Sequence, residues 1–166
     1  LKDRYFLLLL FVNFLFSVFL FWGFRFTWGP DGTGYFMAAY QLTEPEVYGR
    51  MSTYFKPLFL LFFKLFQLVT PDEYLGIKIV QHFLGFILPL TVYIALKPIK
   101  LWLAFGVAIL MALDLNARFY FATFCPEPIF IVFMTLLACS ASYLIAFPEK
   151  RIGIIMMAIA LCGAMI

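Results

Sequence analysis

The chain has 166 residues and a mass of 19.2 kDa; 65% of its residues are hydrophobic and only 13% are charged. A soluble domain carries about a quarter charged residues, so this chain has too little polar surface to cover a globule. The composition excludes a soluble globular domain, a disordered protein and a secreted disulfide scaffold, and a net charge of +3 gives no indication of nucleic-acid binding.

Long apolar runs predict an all-α integral membrane protein, a polytopic helix bundle. A helix that crosses a bilayer needs about 20 apolar residues. The predicted spans are 5–24, 77–96, 101–121, 128–147 and a fifth that begins at 152–166. We expect residues 1–166 to form a single transmembrane module. The start at Leu1 and the end at Ile166 inside an apolar run favour a piece of a longer protein.

The apolar run 55–69 is ambiguous, because it is short for a span and contains Lys64. Charge placement favours an interfacial helix. Short segments rich in Lys and Arg stay in the cytoplasm, and an even number of spans must separate one such segment from the next. The basic segments are 1–4, 97–100 and 148–151. We therefore predict a cytoplasmic N-terminus and an external loop 25–76 with an interfacial helix at 55–69; the alternative is a short, tilted span.

The external loop opens with an acidic turn sequence, Trp28-Gly-Pro-Asp31-Gly-Thr-Gly-Tyr35. One interpretation is structural, since Pro-Asp-Gly forms turns and Asp31 can cap a following helix. The other is functional. Asp31 follows the first span closely, so its carboxylate would lie at the outer membrane surface, where it could accept a proton from a hydroxyl or amine.

Two further charged residues border predicted helices. Lys56 precedes Pro57, which suits a first helical turn, so Lys56 is either an anion-binding group for a lipid phosphate or a lysine that reaches to water. Glu127 precedes the fourth span, where the helix dipole favours an acid. Together with Asp31, it could also share a metal ion or divide base and positioning roles.

Charged and titratable groups also occur inside the predicted spans. Asp114 and Arg118 are spaced i and i+4 near the outer end of the third span, and we expect them to form a pair. Lys78 and His82 share a face of the second span. A single His without other ligands is a weak indication of metal, so we assign His82 a lining or packing role.

The order of these motifs resembles the N-terminal module of the GT-C membrane glycosyltransferases, in the branch with protein O-mannosyltransferases and lipid A aminoarabinose transferases. The resemblance covers essentially the whole chain. The motifs that carry it are Asp31-Gly-Thr-Gly-Tyr-Phe-Met-Ala-Ala-Tyr, Lys56-Pro-Leu-Phe and Pro126-Glu-Pro-Ile. Two departures are Gly32, where many relatives have a second acid, and a single Pro after Lys56.

The resemblance implies roles for these residues. Asp31 and Glu127 would be catalytic, Lys56 would contact the phosphate of the lipid carrier, and Tyr35, Arg118 and His82 would line the site. No cofactor is certain; a divalent metal, if one is used, would bind at Asp31 and Glu127. We expect the carboxylates to border one cavity open to the outer membrane surface, with Lys56 on its lipid-facing side.

These expectations combine into a predicted function. The chain would transfer a sugar, with inversion, from a polyprenyl-phosphate-linked donor to a protein or glycolipid acceptor, on the extracytoplasmic face of a plasma or inner membrane. The expected partners are this donor, membrane lipid and the acceptor, without nucleic acid. The alternative is a non-enzymatic membrane subunit or a transporter. A transporter places polar groups or broken helices near mid-membrane, whereas the sequence places its polar groups at the outer surface.

Overall fold

The structure is a computed structural model that describes residues 3–23, 27–28, 73–124, 127–149 and 155–159. Its elements are α1 (Arg4–Gly23), β1 (Thr27–Trp28), α2 (Glu73–Leu96), α3 (Leu101–Leu113), α4 (Leu115–Phe121), β2 (Thr123–Phe124) and α5 (Glu127–Ala146). Residues 155–159 are also helical. The described part of the chain is therefore predominantly helical, as the composition predicts.

Three described helices are long and apolar enough to cross a membrane: Arg4–Gly23, Leu75–Leu96 and Glu127–Ala146. The pair α3 and α4 makes a fourth if it counts as one span, although the two helices meet at an angle of 59°. These helices occupy the stretches of sequence predicted for the first four spans. The interfacial helix predicted at 55–69 and most of the fifth span lie outside the described residues.

The bundle has two distinguishable ends. At one end Tyr93, near the end of α2, bonds to Asp3, just before α1. At the other end Phe21, near the end of α1, lies 5.3 Å from the ring of His82 in the first half of α2. Helices α1 and α2 are therefore antiparallel. We call the first end the latch end, after the contact between Tyr93 and Asp3. We call the second the ladder end, after the strand pair β1–β2 that lies there.

The basic segments meet at the latch end as far as they are described. Arg4 begins α1, and Lys97 and Lys100 follow α2. Helix α1 runs from the latch end to the ladder end, and α2 runs back. An even number of spans between the basic segments 1–4 and 97–100 requires this arrangement. Which side of a membrane each end faces stays a prediction.

The core is built around α3. Its buried face consists of Ala104, Ala108 and Ala112, each 0% exposed. Alanines four residues apart lie on one helical face, and their small side chains let neighbouring backbones approach closely. Leu9 of α1 and Val92 of α2 belong to the same buried cluster. Much of the outer surface is apolar, with Trp22 81% and Trp102 63% exposed at opposite ends, as expected for helices solvated by lipid.

A parallel two-stranded ladder closes one end of the bundle. Thr27 pairs with Thr123 and Trp28 with Phe124. Strands this short carry no alternating pattern, so the sequence does not predict them. The ladder brings together the chain that leaves α1 and the chain that leads into α5.

Candidate functional site

A buried arginine lies at the centre of the described bundle. Arg118 in α4 is only 4% exposed. Its Nη2 donates to Asn13 Oδ1, and its Nη1 donates to Ser17 Oγ at 3.3 Å, both on α1. Nη1 also donates to the Gly85 carbonyl of α2 at 2.6 Å, and Nε donates to the Ala112 carbonyl of α3 at 3.1 Å. One guanidinium therefore joins three other helices, and the four acceptors are neutral oxygens.

The Gly85 carbonyl has a specific reason to need this donor. In an α-helix the carbonyl of residue i accepts from the N–H of residue i+4. Position i+4 from Gly85 is Pro89, which lies inside α2 and has no N–H. In an apolar medium a freed carbonyl must find another donor, and Arg118 supplies it.

The Ala112 carbonyl is freed in a different way. Its helical donor would be the N–H of Asn116, but α3 ends at Leu113 and Asp114 has an extended backbone, with ψ 103°. The Asp114 carboxylate accepts from the Asn116 N–H at 2.9 Å and from the Ala117 N–H at 3.3 Å, so it caps α4. The N–H that would have served Ala112 is thus taken, and Arg118 Nε replaces it.

The expected Asp114–Arg118 pair is therefore wrong. The i and i+4 spacing assumes an unbroken helix, whereas Asp114 lies at the break between α3 and α4. Its side chain is committed to the cap and is exposed, while Arg118 points inward to Asn13. A charge near hydrocarbon is stabilised here by polar groups of other helices rather than by its sequence neighbour.

Arg118 and its four acceptors, which we call the arginine centre, lie near the middle of the bundle. Asn13 is fully buried near the midpoint of α1, and its Nδ2 donates to the Phe86 carbonyl of α2 at 2.7 Å. The expectation that the polar groups cluster at the outer surface is thus not met among the described residues, because Arg118 and Asn13 are buried near the middle of the bundle.

His82 is buried next to the arginine centre. It is 8% exposed, its ring meets Phe21 edge-on, and its Nε2 has no hydrogen-bond partner among the described residues. Lys78, one turn earlier, places its Nζ 4.4 Å from the centre of the Phe21 ring. Both Lys78 and Arg118 lie within electrostatic range of His82. The ladder-end half of the bundle therefore contains two cationic side chains, Lys78 and Arg118, on either side of a buried imidazole.

The ladder pairs the two short strands that precede the predicted catalytic acids in the sequence. Asp31 follows Trp28 by three residues, and Glu127 follows Phe124 by three residues, and Trp28 pairs with Phe124. Glu127 is exposed in the first turn of α5. Asp31, Tyr35 and Lys56 lie outside the described residues, so their convergence with Glu127 stays a prediction.

None of the predicted site residues lines either of two apolar clefts in the described part of the chain. One, with a volume of about 420 Å³, lies between α2 and α5, where Thr91 and Pro98 face Tyr143. The other, of about 390 Å³, adjoins it at Cys139 and reaches α3. No group of three or more His, Cys, Asp or Glu side chains that could hold a metal occurs within the described ranges. The cavity predicted at Asp31 and Lys56 lies beyond those ranges.

A second polar contact, which we call the latch, consists of Asp3, Tyr93 and Lys97 and holds the opposite end. The Tyr93 hydroxyl lies 2.7 and 2.6 Å from the two Asp3 carboxylate oxygens, and Lys97 Nζ is 2.7 Å from Oδ2. Hydrogen bonds from Lys97 and Tyr93 lower the pKa of the Asp3 carboxyl from 3.8 to about 2. The latch ties the start of α1 to the end of α2.

Comparison with protein-family models, with curated proteins and with solved structures finds no match for this chain.

Proposed function

We propose that the chain is the membrane-embedded catalytic module of a GT-C-type glycosyltransferase, which transfers a sugar from a polyprenyl-phosphate-linked donor to an acceptor. In this proposal Asp31 and Glu127 are the catalytic carboxylates and Lys56 binds the phosphate of the carrier. The observation that carries the proposal is the ladder.

The ladder supports convergence of the two acids because it restricts how far apart they can lie. The backbones of Trp28 and Phe124 are paired, and neighbouring strands lie about 5 Å apart. Three residues of chain reach at most about 10 Å. The strands that precede Asp31 and Glu127 in the sequence therefore lie side by side at the same end of the bundle, although 95 residues separate the two acids in the sequence (32–126).

The electrostatics of the ladder-end half also support the proposal. Lys78 Nζ lies 4.4 Å from the centre of the Phe21 ring, and Arg118 is buried in the same half of the bundle. Positive groups near this end would attract an anionic carrier and stabilise the phosphate that leaves when the acceptor attacks the anomeric carbon. The leaving phosphate is already charged, so it needs electrostatic stabilisation more than a proton.

A second candidate, a transporter, is favoured by one specific observation. The bent pair α3 and α4 breaks at Asp114, and a buried arginine centre lies beside that break. Discontinuous helices with polar groups in mid-membrane are typical of secondary transporters. Here, however, the Asn116 and Ala117 N–H groups bond to Asp114 and the Ala112 carbonyl accepts from Arg118, so these three groups are not free for a substrate.

The test is an assay of the full-length protein in proteoliposomes. A panel of short-chain polyprenyl-phosphate sugars, labelled in the sugar, is supplied together with candidate protein and glycolipid acceptors, and transfer of the label from the lipid to an acceptor is measured along with release of polyprenyl phosphate. Removing a general base typically costs about 10²–10⁴-fold in rate, so Asp31→Asn is expected to lower the release rate by that factor. We expect Glu127→Gln to lower it at least tenfold.

Glu149→Gln is the matched control, because Glu149 is an exposed acid just beyond the other end of α5. It is expected to leave the release rate unchanged. Equal rates for Glu127→Gln and Glu149→Gln would contradict the catalytic role of Glu127. Movement of labelled, uncleaved donor across the vesicle membrane, without release from any member of the panel, would favour the transporter.

A further inference from the structure

We propose that Arg118 is the positioning residue of this site: by joining α1, α2 and α3 to α4, it sets where the β1–β2 ladder forms and so where the two loops begin. The catalytic consequence rests on the proposed function, but the positioning itself does not.

Helix α4 and strand β2 are too short to hold their own position. Helix α4 has 7 residues and β2 has 2. Isolated helices shorter than about 12 residues are marginal, and so is a single strand pair. Their position must come from tertiary contacts. Besides Arg118, the buried contact of α4 described here is Phe121, which packs against Gly85 and is 2% exposed.

The position of α4 passes directly into β2. The Ala122 N–H donates to the Arg118 carbonyl at 3.2 Å, and Thr123 Oγ1 donates to the Phe119 carbonyl at 3.0 Å. Ala122 and Thr123 are also buried. No flexible linker therefore separates α4 from the strand, so a shift of α4 moves β2 with it.

The partner strand depends on the same guanidinium. Strand β1 follows α1, and Arg118 bonds to Asn13 and Ser17 on that helix. Two strands that come from distant parts of the sequence are thus both positioned relative to one side chain. Two carbonyls, one freed by Pro89 and one by the break at Asp114, anchor that side chain to α2 and α3.

The experiment measures ladder formation directly in the full-length chain. Cys125, Cys139 and Cys162 are replaced by Ala, and Thr27→Cys with Thr123→Cys introduces a pair whose backbones are ladder partners. Parallel neighbours about 5 Å apart fall within the Cα separation that a disulfide accepts. The rate of disulfide formation under mild oxidation is then compared among variants.

Arg118→Met is expected to slow disulfide formation at least tenfold. Arg118→Lys keeps the charge but not the planar fork that reaches four acceptors, so we expect an intermediate rate. Arg4→Met removes an exposed arginine at the latch end and is the matched control, expected within twofold of the parent. Helix content by circular dichroism is measured on each variant, and Arg118→Lys decides the question if Arg118→Met does not fold.

A folded Arg118→Met or Arg118→Lys variant that crosslinks at the parent rate would overturn the proposal. Where sugar transfer is detected, Arg118→Lys is further expected to lower kcat at least fivefold while KM for the lipid donor changes less than twofold. Loss of crosslinking in a protein without sugar transfer would uphold the positioning role and reject only the proposed reaction.

Discussion

Two charged side chains, Lys97 in the latch and Arg118 at the centre, tie the N-terminal region around α1 to its neighbours in the described part of the chain, and they differ in what their charges do. In the latch, an exposed Lys97 meets an acid, Asp3, of opposite charge. At the centre, Arg118 is buried and meets only neutral oxygens, two of which are backbone carbonyls. The latch is an ion pair at a helix end, whereas the arginine replaces donors that the helices themselves cannot supply.

The comparison shows why a buried charge can be retained in an apolar bundle. An exposed ion pair contributes little, because water already solvates both partners and salt screens them. A freed carbonyl in an apolar environment has no such alternative. The contribution of Arg118 therefore depends on Pro89 and on the break at Asp114, and it can be tested through them.

The largest expected effect is the loss of Arg118, and Pro89 should modulate it. Arg118→Met leaves two carbonyls and the Asn13 amide oxygen without this donor, so we expect a loss of about 2–4 kcal/mol in the free energy of unfolding. Pro89→Ala restores an N–H for the Gly85 carbonyl. In that background Arg118→Met should cost about 0.5–1.5 kcal/mol less. Unfolding by SDS in mixed micelles measures the cycle; strictly additive effects would reject the role of Pro89.

A smaller effect is expected at Gly85, which lies against the arginine centre. A Cβ there would come within 2.9 Å of Phe121 Cγ and 3.3 Å of Arg118 Nη1. Gly85→Ala should therefore destabilise the protein by about 1–3 kcal/mol. Gly106→Ala in α3 is the matched control, because nothing lies within 4 Å of its Cβ position. It should stabilise by about 0.5–1 kcal/mol through helix propensity; similar losses at both glycines would contradict the close contact.

The cap at Asp114 should matter less again. Asp114→Ala removes the acceptor for two backbone N–H groups and should cost about 0.5–2 kcal/mol. Asp114→Asn keeps an oxygen at the same place, so it should cost only a few tenths of a kcal/mol. If Asp114 instead stabilised Arg118 as an ion pair, the neutral Asn variant would be as unstable as the Ala variant. Chemical unfolding of both variants separates these cases.

The latch should have the smallest effect, and that effect should depend on pH. The Asp3 carboxyl has a pKa of about 2 in the folded protein against an ordinary 3.8. Its contribution is therefore complete above about pH 4 and is lost as the pH falls through 2. Thermal unfolding at pH 6 and at pH 3 should show a larger difference for the parent than for Asp3→Asn. An equal difference in the two proteins would show that the lowered pKa of Asp3 does not stabilise the fold.

The helices could be predicted from the sequence because lipid requires long apolar runs, and such runs are visible without knowledge of the fold. The bounds of α1 and α5 follow closely from where those runs end. The sequence does not predict the break at Asp114, because the apolar run 101–121 continues through it. A single acid at this position is equally consistent with an ion pair to Arg118. The ladder was not predicted because two residues per strand hold no periodic signal.

The candidate site could be predicted only in part. Arg118 and His82 stand out as polar groups in apolar runs, which identifies them but not their partners. Signals for the partners were present: Asn13 and Ser17 are the polar side chains of the first span, and Pro89 stands four residues after Gly85. Local spacing favoured Asp114 instead, because a rule of i and i+4 neighbours takes no account of contacts between helices.

The alanine face of α3 has a mechanical consequence. Ala104, Ala108 and Ala112 have no side chain beyond Cβ, so they lose no rotamer freedom on burial and bring the helix close to its neighbours. Packing against an alanine face of this kind opposes separation of the helices but offers little resistance to sliding of one helix past another along its axis. Resistance to sliding must come from directional contacts at fixed heights. Arg118 and the latch act at two different positions along the helix axis, and together they oppose sliding of the helices past one another.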